Sequence, residues 1–111
     1  MPYDERLAQR VSRLFAKTPS VTERKMFGGL AYLVEGNMVV VVSGKGGLLV
    51  RTNPGLATEL VMMDAAQFAE MRGRQMRNWL RVDPENVRTS RQLSRWVDLG
   101  IEFASQLARG D

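Results

Sequence analysis

A chain of 111 residues, 44% apolar and 25% charged, is long enough for one hydrophobic core and too short for two, and this composition belongs to folded rather than disordered proteins. It has no cysteine and no histidine, which excludes disulfides, thiolate zinc sites, cysteine nucleophiles and every histidine-based acid–base pair. The net charge is a modest +4, the longest apolar run (Met38-Val39-Val40-Val41-Val42) is far short of the roughly 20 residues of a membrane span, and Met1-Pro2-Tyr3-Asp4-Glu5-Arg6 does not read as a signal peptide, so the expected location is cytoplasmic with no membrane partner.

Residues 3–17 predict an amphipathic helix: Leu7, Val11, Leu14 and Phe15 recur at helical spacing, with Arg6, Arg10 and Arg13 on the other side. Asp4 and Glu5 suit its first turn and Lys17 its last, and Thr18-Pro19-Ser20 stops it. Strands are expected at 21–27, 30–34, 38–42 and 48–51. Gly28-Gly29 separates the first two, Glu35-Gly36-Asn37 turns into the third, and Ser43-Gly44-Lys45-Gly46-Gly47 leads to the fourth. Connections this short allow only antiparallel neighbours. Asn53 and Pro54 then read as cap and first residue of a short helix reaching about residue 62. Residues 68–71 look extended, Arg72-Gly73-Arg74 offers a turn, and 76–82 predicts a last strand. Asp83-Pro84-Glu85 is a turn or helix start. A helix over 90–108 closes the chain, with Leu93, Trp96, Val97, Gly100, Ala104 and Leu107 on one face. The expected fold is one α+β domain over 1–111, with an antiparallel sheet and the order helix, three or four strands, helix, two strands, helix. Its strands are apolar at successive positions, which predicts a sheet covered on both faces. Three helices suffice for one face only, so self-association through the other, as a homodimer, or a helix wrapping round it, is expected.

No clustered acidic motif supports a carboxylate metal site, and no cofactor is expected. Gly44-Lys45-Gly46-Gly47 lacks the spacing and the following helix of a phosphate loop and reads as a hairpin turn. Ser43 and Lys45 on such a turn lack the burial that would activate a Ser–Lys pair. No catalytic residues are assigned, and the chain is expected not to be an enzyme. Residues 72–95 hold Arg72, Arg74, Arg77, Arg81, Arg88, Arg91 and Arg95 against only Asp83 and Glu85. That imbalance suits either a solvated face or a surface for nucleic acid or an acidic partner. Within it, strict alternation puts Met76, Leu80 and Val82 on one face of a strand and Arg77, Trp79 and Arg81 on the other. A tryptophan between two arginines fits a binding surface, or a ring packed beneath arginine stems. Arg72, Arg74, Arg77, Trp79 and Arg81 are therefore the candidate interaction residues. Trp96 reads as core, and Met62-Met63 as adaptable core filling or an exposed interface.

Met26-Phe27-Gly28-Gly29 follows a Thr22-Glu23-Arg24-Lys25 run and precedes a strand–Glu35-Gly36-Asn37-Met38–strand hairpin. The later strand into Asp83-Pro84-Glu85 and the Leu93-x-x-Trp96-Val97 helix complete a pattern that resembles the N-terminal domain of the TfoX/Sxy proteins, bacterial regulators of competence, over about residues 3–108. The resemblance implies a two-layer fold similar to secretion chaperones, and a regulatory or protein-interaction role rather than catalysis. Family members with two domains assist transcription of competence genes alongside a cyclic-AMP receptor protein, so a transcription factor or other regulatory protein is an expected partner. The expected form here is a stand-alone N-terminal module without the helical C-terminal domain. Met26, Phe27, Gly28 and Gly29 read physically as structural, their glycines serving a turn or bulge, with close backbone approach by a partner as the alternative.

Overall fold

Asp4 starts the first helix from outside it: its carboxylate accepts a hydrogen bond from the Leu7 N–H at 3.1 Å. The computed structural model, which describes residues 3–26, 28–108 and 110, therefore has a first helix, α1 (Glu5–Phe15), shorter at both ends than the predicted 3–17. Strands β1 (Val21–Met26), β2 (Gly29–Val34), β3 (Asn37–Val42) and β4 (Leu48–Arg51) form an antiparallel meander. Asn53 accepts from the Leu56 N–H at 2.8 Å and, with Pro54 next, opens α2 (Pro54–Met62). Strands β5 (Gln67–Met71) and β6 (Arg74–Val82) form a hairpin whose β6 pairs with β4, giving the order β1-β2-β3-β4-β6-β5. A short 3-10 helix (Pro84–Val87) then leads into α3 (Ser90–Ala108). The predicted α+β order holds, with four strands in the first group, and the helices pack against the sheet as a second layer. Among the described residues no helix is long and apolar enough to cross a membrane.

The layers meet most closely where α3 crosses β3. A Cβ built at Gly100 would lie 2.9 Å from Val40 Cγ2 and 3.1 Å from the Val39 carbonyl oxygen, so the helix backbone rests directly on the strand. The strand accommodates it with a bulge: Tyr32 pairs with Val40 and Leu33 with Met38, leaving Val39 unpaired, and Val39 and Val40 are both fully buried. Tyr32 anchors α1 in turn. Its ring stacks on Phe15 with centroids 5.0 Å apart. Its hydroxyl donates to the Ala8 carbonyl at 2.9 Å and lies 2.9 Å from Ser12 Oγ, which donates to Glu23 at 3.0 Å. Ala57 of α2 joins the same core as Leu80, Val82, Leu93 and Val97. All three helices thus share one core on one side of the sheet, and the cover predicted for both faces is supplied by the chain on one.

Two outcomes follow from this packing. Gly100→Leu should lower stability by about 1–3 kcal/mol in urea unfolding, because the added atoms meet β3 and its well-packed valines. Burial pushes the Tyr32 hydroxyl up from its ordinary value near 10 to about 12, partly offset by the Ser12 hydrogen bond. The unfolded chain releases that proton near pH 10 while the folded chain keeps it to about pH 12, so this contribution is whole below pH 10 and is lost as pH rises to about 12. The loss amounts to roughly 2–3 kcal/mol. Urea midpoints measured across that range should fall less steeply in Tyr32→Phe, which should be about 1 kcal/mol less stable than the parent at neutral pH through its lost hydrogen bonds.

Candidate functional site

The arginine-rich segment begins at the β5–β6 hairpin. Arg72 and Gly73 both have positive φ, 54° and 79°, the geometry of a type I′ turn. Arg72 and Arg74 stand exposed at its tip, with Met71 beside them at 49% exposure. Beyond the turn, β6 departs from the predicted alternation. Phe68 pairs with Leu80, but the next residue, Ala69, pairs with Met76, so Arg77, Asn78 and Trp79 are extra residues on the β6 side. The bulge reverses which face the tip half of β6 presents. Phe68 packs against the helix-side core, while Ala69 is buried without belonging to it. Met76 therefore shares the Ala69 face rather than that of Leu80 and Val82. Arg77 lies over the Phe68 ring, 5.6 Å from its centroid, away from the face of Trp79 and Arg81. The predicted trio of Arg77, Trp79 and Arg81 is split: Trp79 and Arg81 stay together, and Arg77 does not join them.

Trp79 and Arg81 are half-buried on the face that no helix covers. Arg81 donates to the Lys45 carbonyl at 3.4 Å. Arg51, in register with Trp79, instead turns its guanidinium to Phe103 of α3, 5.0 Å from the ring centroid, and its buried Nε has no hydrogen-bond partner among the described residues. Arg88 lies just past the 3-10 helix, its carbonyl accepting from Arg10 at 3.0 Å, while Arg91 and Arg95 are exposed on α3. The arginines of 72–95 are thus spread over a hairpin tip, two sheet faces and a helix. Of the two methionines flagged by the sequence, Met62 is 80% and Met63 73% exposed at the end of α2, so they do not fill the core. Trp96 packs against the core as expected.

The uncovered face has an arrangement that the sequence did not suggest. Arg24 is in register with Ala31, Ala31 with Val41, Val41 with Leu49, and Leu49 with Arg81. The row, which continues to Gln67 on β5, thus crosses all six strands and sets Ala31, Val41 and Leu49 between Arg24 and Arg81. Ala31 is 0% and Val41 7% exposed, yet neither belongs to the helix-side core. The only carboxylates in the strands are Glu23 and Glu70. Glu23 bonds to Ser12 on the helix side, and Glu70 alternates away from Ala69. Among the described strand residues the uncovered face therefore presents arginines, apolar side chains and the neutral Thr22 and Gln67, and no acid.

The family motif has local duties. Met26 ends β1 in register with Gly29, Gly28 is exposed with φ 75°, and Phe27 lies outside the described residues. A Cβ at Gly29 would sit 2.5 Å from the Val42 carbonyl oxygen, so the close approach of β2 to β3 requires glycine there. Elsewhere, an open hollow of about 640 Å³ lies between the start of α1, the β3–β4 turn and the 3-10 helix. Its lining mixes Arg6, Arg10 and Arg88 with Asp4, Asp83 and Glu85, and Arg10 is engaged in donating to the Val87 and Arg88 carbonyls.

The family model for the TfoX N-terminal domain matches residues 13–104 of the chain. Comparison with curated proteins finds no match.

A structural duty for the glycine pair predicts unequal substitutions. Gly29→Ala should lower stability by about 1–3 kcal/mol in chemical denaturation, since its methyl group meets backbone. Gly28→Asn, where nothing lies within 4 Å and asparagine tolerates positive φ, should cost under about 1 kcal/mol.

Proposed function

The chain belongs to the TfoX N-terminal domain family, and from that premise we propose that it is a non-enzymatic regulatory module that acts by binding another protein. Membership supports a regulatory-domain role. The observation that carries the protein-binding reading is the sheet face left without a helix, whose apolar middle and half-buried Trp79 have the composition of an interface centre. A transcription factor or another regulatory protein is the partner class that the family favours. Catalysis would have to run without histidine or cysteine, and the hollow beside α1 is lined by charges of both signs. Direct nucleic-acid binding through residues 72–95 is the weaker reading, because the arginines of that segment diverge over several surfaces.

A photoreactive residue at Leu49, on the uncovered face, tests this in the native cell against one at Arg95, on the outer side of α3. The expected result is a discrete protein adduct at Leu49 and not at Arg95, together with altered transcript levels in cells lacking the chain. Adducts to nucleic acid alone, or equal capture at both positions, would sink the proposal.

A further inference from the structure

We propose that the uncovered face binds an acidic, amphipathic segment of a partner protein, its apolar side chains seated over Ala31, Val41 and Leu49 and its carboxylates held by Arg24 and Arg81. This rests on the protein-binding reading above and adds the chemistry of the partner. The floor of the site is apolar and recessed: Ala31 is fully buried and Val41 nearly so on a face that carries no helix, and Leu49 and Trp79 are half-buried beside them. Small side chains between larger ones make a shallow seat for a partner's leucine or aromatic ring, and burying such groups is favourable.

The two arginines of the row set the charge. Arg24 is exposed on edge strand β1 and Arg81 stands on β6, four strand spacings away, or about 19 Å at ~4.8 Å per spacing. Among the described strand residues no carboxylate lies on this face to neutralise them: Glu23 is tied to Ser12 on the opposite side, and Glu70 alternates away from Ala69. Arg74, exposed at the hairpin end of β6 and in register with Met71, adds a third cation to the same side. Guanidinium groups on either side of an apolar strip are complementary to carboxylates flanking apolar residues. The same charges oppose other occupants. A second copy pressed face to face would set arginines near arginines with no acid between them. A nucleic-acid strand needs cations in succession along its phosphates, whereas here aliphatic residues separate the two arginines of the row.

Three labelled peptides test the assignment against the whole chain: one with a leucine-rich centre and a glutamate pair at each end, its lysine-for-glutamate counterpart, and a glutamate peptide with a serine centre. The first should bind, more weakly at high salt, and the other two at least about tenfold more weakly. The double variant Arg24→Glu/Arg81→Glu, its fold checked by circular dichroism, should reverse the preference and favour the lysine peptide. Light scattering on the parent accompanies the titrations. The proposal is overturned if no peptide binds, if the double variant keeps the parent's preference, or if the parent is a dimer that the double variant dissociates. A protein captured at Leu49 in the cell alongside any of these results leaves the protein-binding reading standing and removes only the acidic assignment.

Discussion

The close seat of α3 on β3 governs the rest of the architecture. Gly100 lets the helix backbone rest against Val39 and Val40, and the bulge at Val39 sends two consecutive valines to the same side to receive it. With α3 fixed over the middle of the sheet, the flanks of that face fall to the other two helices. α1 fills one through Phe15 on Tyr32, and α2 joins the same core through Ala57. Among the described residues no further helix remains for the opposite face. Tight packing on one side and exposure on the other are consequences of a single contact.

An uncovered apolar sheet face is a hazard, since it invites stacking with other copies. The exposed edge strand β1 carries Glu23, Arg24 and Lys25 in succession, which discourages edge-to-edge pairing. On the face itself the charges are of one sign, so two copies that stack there oppose like charges. On the proposal above, the arginines that would oppose a second copy stacked face to face are the same ones that would select an acidic partner.

Local signals in the sequence were read well because their physics is local. Asn53-Pro54 marks the start of α2, two-residue turns with positive φ mark two of the hairpins, and the stripe from Leu93 to Ala104 marks α3. Asp4 was placed inside α1 because an acid in a first turn and an acid at a cap look alike without the hydrogen bond to Leu7. The face assignments on β6 failed for a different reason. Alternation holds only while both strands advance together, and nothing in Met76-Arg77-Asn78-Trp79-Leu80 announces that β5 advances one residue while β6 advances four. The successive apolar positions of β3 had a similar origin: part of the run that suggested two covered faces is a bulge turning Val39 to the side of Val40. The row from Arg24 to Arg81 could not be seen at all. Its five members are widely separated along the chain and meet only through four independent strand registers.

That origin bears on how such a surface would recognise a partner. Each step of the row is held by backbone hydrogen bonds between neighbouring strands, so the backbone separation of Arg24 and Arg81 is a property of the sheet, and only the reach of their side chains varies with rotamer. Long, flexible arginines alone would accept many arrangements of acid. Arginines whose backbones are anchored on either side of an apolar strip would accept carboxylates over a narrower range of spacings, with something apolar between them. The face is pre-formed before any partner arrives, which lowers the ordering cost of binding on this side and leaves that cost to the partner's segment. Selectivity on such a surface comes from register, and a slip by one residue in any of the four pairings would move an arginine to the helix side and break the row.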